Sequence, residues 1–403
     1  MSRKGSEAGT LALPWSFTRD RSVSRPSADG TLLIVTLVLA LIGLVMVFSA
    51  SGVVAGNRFH DAIYFLKRQV AWLLFGFILL QISSRLDYLI WKKLAVPILI
   101  MTVALLILVL MPSIGIAAKG ARRWLKLGPI SLQPAEMVKL VVVLYVAAYL
   151  THKGDRVKDF KRGFLPPFII VGMLSGLVLL QPDLGTVVVI GTVTLGLLFL
   201  AGARLLHLSG LIPLLVLAVG VVIWKSPYRL QRLLTFLDPM KDPTGAGFQV
   251  NQSFLAFGSG GPFGVGLGAG KQKLFFLPEA HTDFVLALVG EELGLVGTAA
   301  IMLLFGVLLV KGFQIAGRAQ DPFGRHLAYG ITLLIGAQAL INAGVATGLL
   351  PTKGLTLPLV SYGGSSLLVN LLAIGMLLSI SRDRQRGRHT SDYGGRIASQ
   401  SRS

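Results

Sequence analysis

The chain has 403 residues, 53% of them hydrophobic and only 14% charged, where a soluble domain carries about 25% charged residues. It has no cysteine, which excludes structural disulfides, thiolate catalysis and cysteine-ligated metals. Its six histidines form no HExxH or clustered pattern. A net charge of +20 in so apolar a chain reads mainly as membrane orientation, so nucleic acid is not expected as a partner.

The first 30 residues are polar and lack an apolar run near Met1, so no cleaved signal peptide is expected. They read as a disordered cytoplasmic tail. Beyond them, apolar runs long enough to cross a hydrocarbon core recur at 31–50, 65–83, 94–112, 133–151, 164–181, 184–202, 205–224, 284–311, 326–350 and 362–381. These predict an all-α polytopic membrane protein of about ten transmembrane helices, one membrane domain over 31–381. A basic tail, 382–403, follows.

An even number of spans puts both tails on one side. That side, with its short connections, carries 23 of the 38 Lys and Arg, which places both termini in the cytoplasm. Four of the 15 charges opposite are Lys119, Arg122, Arg123 and Lys126, in one short connection without an acid. Such a cluster opposes the orientation rule. It suits either anionic headgroups or a phosphorylated ligand.

The only long connection, 225–283, is rich in Gly, Pro and aromatics, as in GSGGPFGVGLGAG (258–270). Disordered linkers lack so many aromatics, so an ordered extracytoplasmic cap between helices 7 and 8 is expected. The glycines match neither GxGxxG nor the Walker pattern and serve tight turns and close backbone approach.

Asp283 ends this connection, where the eighth span begins. It suits a helix N-cap and also a general base at the water–membrane boundary; the two are compatible. Glu291 and Glu292 lie about 12–14 Å deeper along a helix and point away from it, so they read as buried structural partners. Glu136 and Lys139, three apart on the fourth span, share a face: a mutual pair, or Lys139 joining Arg122 and Arg123 in a positive pocket. Asp183 reads as a turn or cap residue first and a second carboxylate of the site next. The segment PTKGLTLPLVSYGGSS (351–366) breaks any helix. It is expected either to line a cavity with Lys353, Ser361, Ser365 and Ser366 or to form a surface loop.

Four stretches together resemble one family. GARRWLKLGPISLQPAEMVKL (120–140), QPDLGT (181–186), LPEAHTDFVLALVGEELGLVG (277–297) and PTKGLTLPLVSYGGSS (351–366) look like the signatures of the SEDS family (shape, elongation, division and sporulation), closest to its cell-division branch. The resemblance spans the membrane domain and omits the polar tails. It implies a peptidoglycan glycosyltransferase of the bacterial inner membrane. Such an enzyme polymerises lipid II on the outer face at the division septum, beside a class B penicillin-binding transpeptidase and other divisome membrane proteins. It also implies that Asp283 is the residue required for polymerisation. Arg122, Arg123, Lys139 and Lys353 would hold the diphosphate of lipid II and of the departing undecaprenyl diphosphate. Glu136, Gln133, Trp124, Asp183, His281, Ser361, Ser365 and Ser366 would line the substrate. A divalent cation (Mg or Mn) on Asp183 or Glu136 is conceivable, although the sequence shows no metal motif. The rival readings are a lipid II flippase and a non-catalytic divisome scaffold. The flippase would need charges spread through the membrane depth and repeat symmetry, and no clear repeat is visible.

Overall fold

The computed structural model describes residues 29–118, 121–128, 130–238, 247–274, 277, 280–352 and 354–400. Its first seven helices are α1 (Gly30–Phe59), α2 (Tyr64–Arg85), α3 (Leu89–Leu110), α4 (Pro134–Lys153), α5 (Leu165–Leu179), α6 (Leu184–Leu200) and α7 (Leu205–Trp224). Two short helices follow, α8 (Pro227–Leu237) and α9 (Phe248–Gly260). Then come α10 (Val285–Arg318), α11 (Pro322–Ala346) and α12 (Gly364–Gln400). Among the described residues nine helices are long and apolar enough to cross a membrane. The shorter apolar α6, 17 residues, makes the tenth run.

α4, α11 and α12 form the centre. α4 is buried on almost every side, from Ala135 through Leu150, and its neighbours are α3, α6, α11 and α12. α7 stands outside this packing: Leu208 is its one buried residue, so its apolar surface faces the lipid. Polar residues set several boundaries that apolar runs leave vague. Asp29 caps α1 by accepting from Leu32 N at 3.1 Å. Asp321 caps α11 by accepting from Gly324 N at 3.0 Å, with Pro322 at the first helical position. The ninth span therefore starts four residues earlier than the apolar run and ends at Ala346 instead of 350.

The basic connection after α3 is a small antiparallel sheet. β1 (Gly115–Ala118), β2 (Ala121–Leu127) and β3 (Ile130–Leu132) pair in the order β1-β2-β3. The apolar pattern did not announce it, because its strands, of four, seven and three residues, are too short to show a period.

The glycine-rich stretch after α9 does not lie flat on the bundle. It folds into a break in α10, where Gly294 has φ 69°, a conformation that only glycine adopts readily. Gly264, also at positive φ, lies so close to Glu292 O that any Cβ there would collide with it. The two acids of this helix bind the inserted backbone. Glu291 accepts from Lys271 N (2.7 Å) and Gln272 N (3.2 Å), and Glu292 accepts from Gly268 N (3.1 Å). Glu292 also pairs with Lys273 at 2.7 Å, both side chains buried, and accepts from Ser49 Oγ of α1. The structural role read for these acids from their depth is the one they occupy.

A second irregular segment, 351–363, enters from the same end. Its backbone at Leu359 and Val360 rests against Gly43 of α1, where a Cβ would lie 2.6 Å from Leu359 O. Gly43 is about 24 Å along α1 from Phe59. This is non-helical chain at membrane depth, enclosed by protein.

A buried ion pair that loses one partner destabilises by about 3–5 kcal/mol. Lys273→Met should therefore lower the melting temperature of the detergent-purified protein sharply, and adding Glu292→Gln should recover most of the loss. A Lys273→Met variant melting with the wild type would remove the pair from this role.

Candidate active site

The candidate site lies at the end of the bundle that carries the sheet, and it is built by four pieces of chain. The first is the β1–β2 hairpin. Opposite Ile116 and Ala117, β2 carries one extra residue, Arg123, between Trp124 and Arg122. Such a bulge re-aims side chains. Arg123 turns inward, donating from Nε to Gln181 O (2.7 Å) and from Nη2 to Pro182 O (2.9 Å). Arg122 and Lys126 are exposed, while Trp124 is half-buried. The two neighbouring arginines thus do different things: one ties the hairpin to the α5–α6 turn and the other faces outward.

The second piece is that turn. Asp183 is buried and caps α6, accepting from Thr186 N (3.0 Å) and Thr186 Oγ1 (2.8 Å). Its first reading, a cap, describes what it does. Gly185, in the first turn of α6, packs against the Leu355 side chain of the irregular segment.

The third piece is the start of α4. Gln133 N donates to Ser365 Oγ at 3.0 Å. Nearly two turns on, Lys139 is 1% exposed. It lies 2.7 Å from Glu136 Oε2 and donates to Gln338 Oε1 of α11 at 2.6 Å. Its charge is compensated inside the bundle, not presented beside Arg122.

The fourth piece joins the turn before α10 to segment 351–363. α10 begins at Val285 with Phe284 in the cap position and no side-chain cap bond, so Asp283 sits one residue outside the cap. Its side chain is half-buried and packs on the backbone of Gly354, whose added Cβ would lie 3.1 Å from Asp283 Oδ2. Asn342 of α11 donates through Nδ2 to both Asp283 O (3.0 Å) and Leu355 O (2.7 Å). His281 O accepts from Tyr362 N at 2.9 Å, and the His281 ring packs with Phe65 (5.0 Å) and Tyr362 (5.7 Å). Ser361 Oγ accepts from Leu357 N (2.9 Å) and Ser366 Oγ lies 2.9 Å from Thr356 Oγ1; these serines brace the segment. Lys353 lies outside the described residues. Arg232 of α8, stacked on Tyr228 at 4.6 Å, donates to Thr352 O at 3.3 Å.

A continuous path therefore runs from the basic hairpin to Asp283: Arg123 to the 181–182 carbonyls, Asp183 and Gly185 to Leu355, and Leu355 through Asn342 to Asp283. Asn342 and Gln338, the residues that hold the two halves together, did not emerge from motifs. Their signal is a pair of amides four apart in an apolar span, which puts them on one helix face. Among the described residues no three His, Asp or Glu side chains converge as a metal-ligand set. Asp183 and Glu136, the carboxylates expected to hold a divalent cation, are engaged by Thr186 and Lys139.

Comparison with known proteins places this architecture. Residues 30–386 match the profile of the cell cycle protein family FtsW/RodA/SpoVE. The chain belongs to that family. Among FtsW/RodA/SpoVE relatives, a probable peptidoglycan glycosyltransferase FtsW from Geobacter metallireducens is 48% identical over 353 residues, covering 88% of this chain and 94% of the relative. One of the same description from Coxiella burnetii is 47% identical, covering 89% and 97%. A chain from a solved peptidoglycan synthase complex that coordinates polymerization and crosslinking aligns with a TM-score of 0.74 at 33% identity, over 89% of this chain and 98% of that one. The rod shape determining protein RodA of Thermus thermophilus aligns at 0.66 and 30% identity, over 89% and 97%. The resemblance read from the four motifs is thus the family's, and the fold is its polytopic inner-membrane bundle.

The two arginines should separate experimentally. Arg123→Ala removes two charge-assisted hydrogen bonds, each worth about 1.5–3 kcal/mol, and should lower the melting temperature clearly. Arg122→Ala removes an exposed charge and should stay within about 0.5 kcal/mol of wild type. Equal melting of the two variants would contradict the role of Arg123 as the tether between hairpin and turn.

Proposed function

We propose that this chain is a peptidoglycan glycosyltransferase that polymerises lipid II at the outer face of the bacterial inner membrane during septal wall synthesis. Asp283 acts as its general base. The observation that carries the reading is the placement of Asp283. Its half-buried carboxylate lies outside any helix, at the junction of two irregular segments, on the same end of the bundle as the basic hairpin. The names of its relatives and its membership of the FtsW/RodA/SpoVE family support the reaction class.

The chemistry follows from that placement. The carboxylate of Asp283 takes the proton from the GlcNAc 4-hydroxyl of the acceptor lipid II. That oxygen bonds to the anomeric carbon of the donor's MurNAc from the face opposite the leaving group, so configuration inverts. The anomeric carbon–oxygen bond breaks, and undecaprenyl diphosphate departs with the electron pair. Exposed Arg122, with exposed Lys126 further along the same strand, meets the diphosphate charge. Lys139 and Arg123 act indirectly, one on the buried Glu136–Gln338 set and one on the α5–α6 turn. A divalent cation at this step would arrive on the diphosphate. The lipid tail lies along the apolar flank of the bundle. Both termini are cytoplasmic, and a penicillin-binding transpeptidase crosslinks the strands this chain makes.

One observation favours the rival flippase: α10 is broken at Gly294 next to two buried acids, as in transporters. Those acids, however, hold Lys273, Ser49 and backbone N–H groups, an arrangement that suits a fixed staple. Proteoliposomes separate the readings through polymer formed from external lipid II and labelled lipid II moved between leaflets.

Positioned acid–base groups contribute about 10²–10⁴-fold. Asp283→Asn should lose turnover by that order while its binding of lipid II and its melting temperature stay close to wild type. Polymerisation at the wild-type rate by the purified variant would rule Asp283 out as the base.

A further inference from the structure

We infer that Asn342 is a positioning residue for Asp283, a role that rests on reading Asp283 as the base. Asn342 is 1% exposed and lies on α11, one turn from Gln338, which holds Lys139 at 2.6 Å. Its single amide nitrogen donates to two carbonyls from different parts of the chain, Asp283 O at 3.0 Å and Leu355 O at 2.7 Å. Both of its N–H hydrogens are used, at an angle fixed by the planar amide.

The consequence is geometric. Among the bonds that hold the turn before α10, His281 O accepts from Tyr362 N and Asp283 O accepts from Asn342. The Asp283 carboxylate packs against Gly354, the residue adjoining Leu355. Asn342 therefore sets the distance between the base and the irregular segment it leans on. Without the amide, two carbonyl oxygens in a buried site lose their donor and repel each other, and turn and segment separate. A misplacement of about 1 Å at a reacting group costs on the order of 10²-fold in rate. No residue of similar size supplies the same fork: Ser gives one donor, and ionised Asp gives none.

The test is a double-mutant cycle on the full-length chain in proteoliposomes, with lipid II as substrate and glycan polymer as the readout. Asn342→Ala should lower kcat on the order of 10²-fold with KM changed by less than about threefold. Asn342→Asp, which keeps the volume and loses the donors, should match it. Asn342→Ser, which keeps one donor, should fall between. The Asp283→Asn/Asn342→Ala double variant should be no slower than Asp283→Asn alone within about twofold, because the amide acts through that carboxylate. Melting temperatures accompany each variant. If Asn342→Ala does not fold, Asn342→Ser decides: wild-type turnover by a variant that melts normally overturns the inference. Multiplying losses in the cycle would also overturn it, as an independent structural effect. A fast Asp283→Asn enzyme would instead remove the base itself, and the positioning role with it.

Discussion

Backbone that is not helical must find hydrogen-bond partners wherever the membrane excludes water, and this bundle is arranged around two stretches that break the rule of helix. Residues 258–273 enter the break in α10, and residues 351–363 reach α1 at Gly43. Each stretch is satisfied by buried polar side chains on the helices around it. Glu291 and Glu292 serve the first. Asn342 serves the second, and Ser361 braces it from within. These buried polar residues are therefore the cost of admitting irregular chain, and irregular chain is what carries Asp283 and its neighbours.

The same constraint explains how charge is distributed. Lys273 and Lys139 are both buried, and each meets a carboxylate at 2.7 Å together with a neutral acceptor, Ser49 or Gln338. A buried cation without such company would be strongly disfavoured. Arg122 and Lys126 stay in reach of solvent, where a diphosphate can displace water from them. Two classes of positive charge thus arise at one end of the molecule: compensated cations that fix the frame, and solvated ones free to meet a ligand.

α11 links these parts. Gln338 and Asn342 sit one turn apart, so a single helical face fixes the height of Lys139 on α4 relative to the turn holding Asp283. Helices transmit position faithfully because their own backbone bonds are closed, which makes such a face a better reference than a loop. The hairpin joins the same frame through Arg123, the extra residue of β2, which donates to the 181–182 carbonyls.

Amino-acid order alone determined the membrane class, nearly all the spans and the family, since apolar length and motif order are local properties of the chain. It also isolated Asp283 and read Glu291 and Glu292 as structural. It could not decide which charges meet. Arg122 and Arg123 are neighbours in sequence and diverge in space: Arg123 reaches the α5–α6 turn while Arg122 stays exposed. The cap residue of α10 is Phe284, not Asp283, because the turn is held by Tyr362 and Asn342 from far along the chain. The small sheet and the inward path of the glycine stretch were likewise settled by tertiary packing. The sheet pairs residues within ten positions of one another, too short a reach to leave a period, while the glycine stretch bonds to acids some twenty positions further on, which only folding brings within reach.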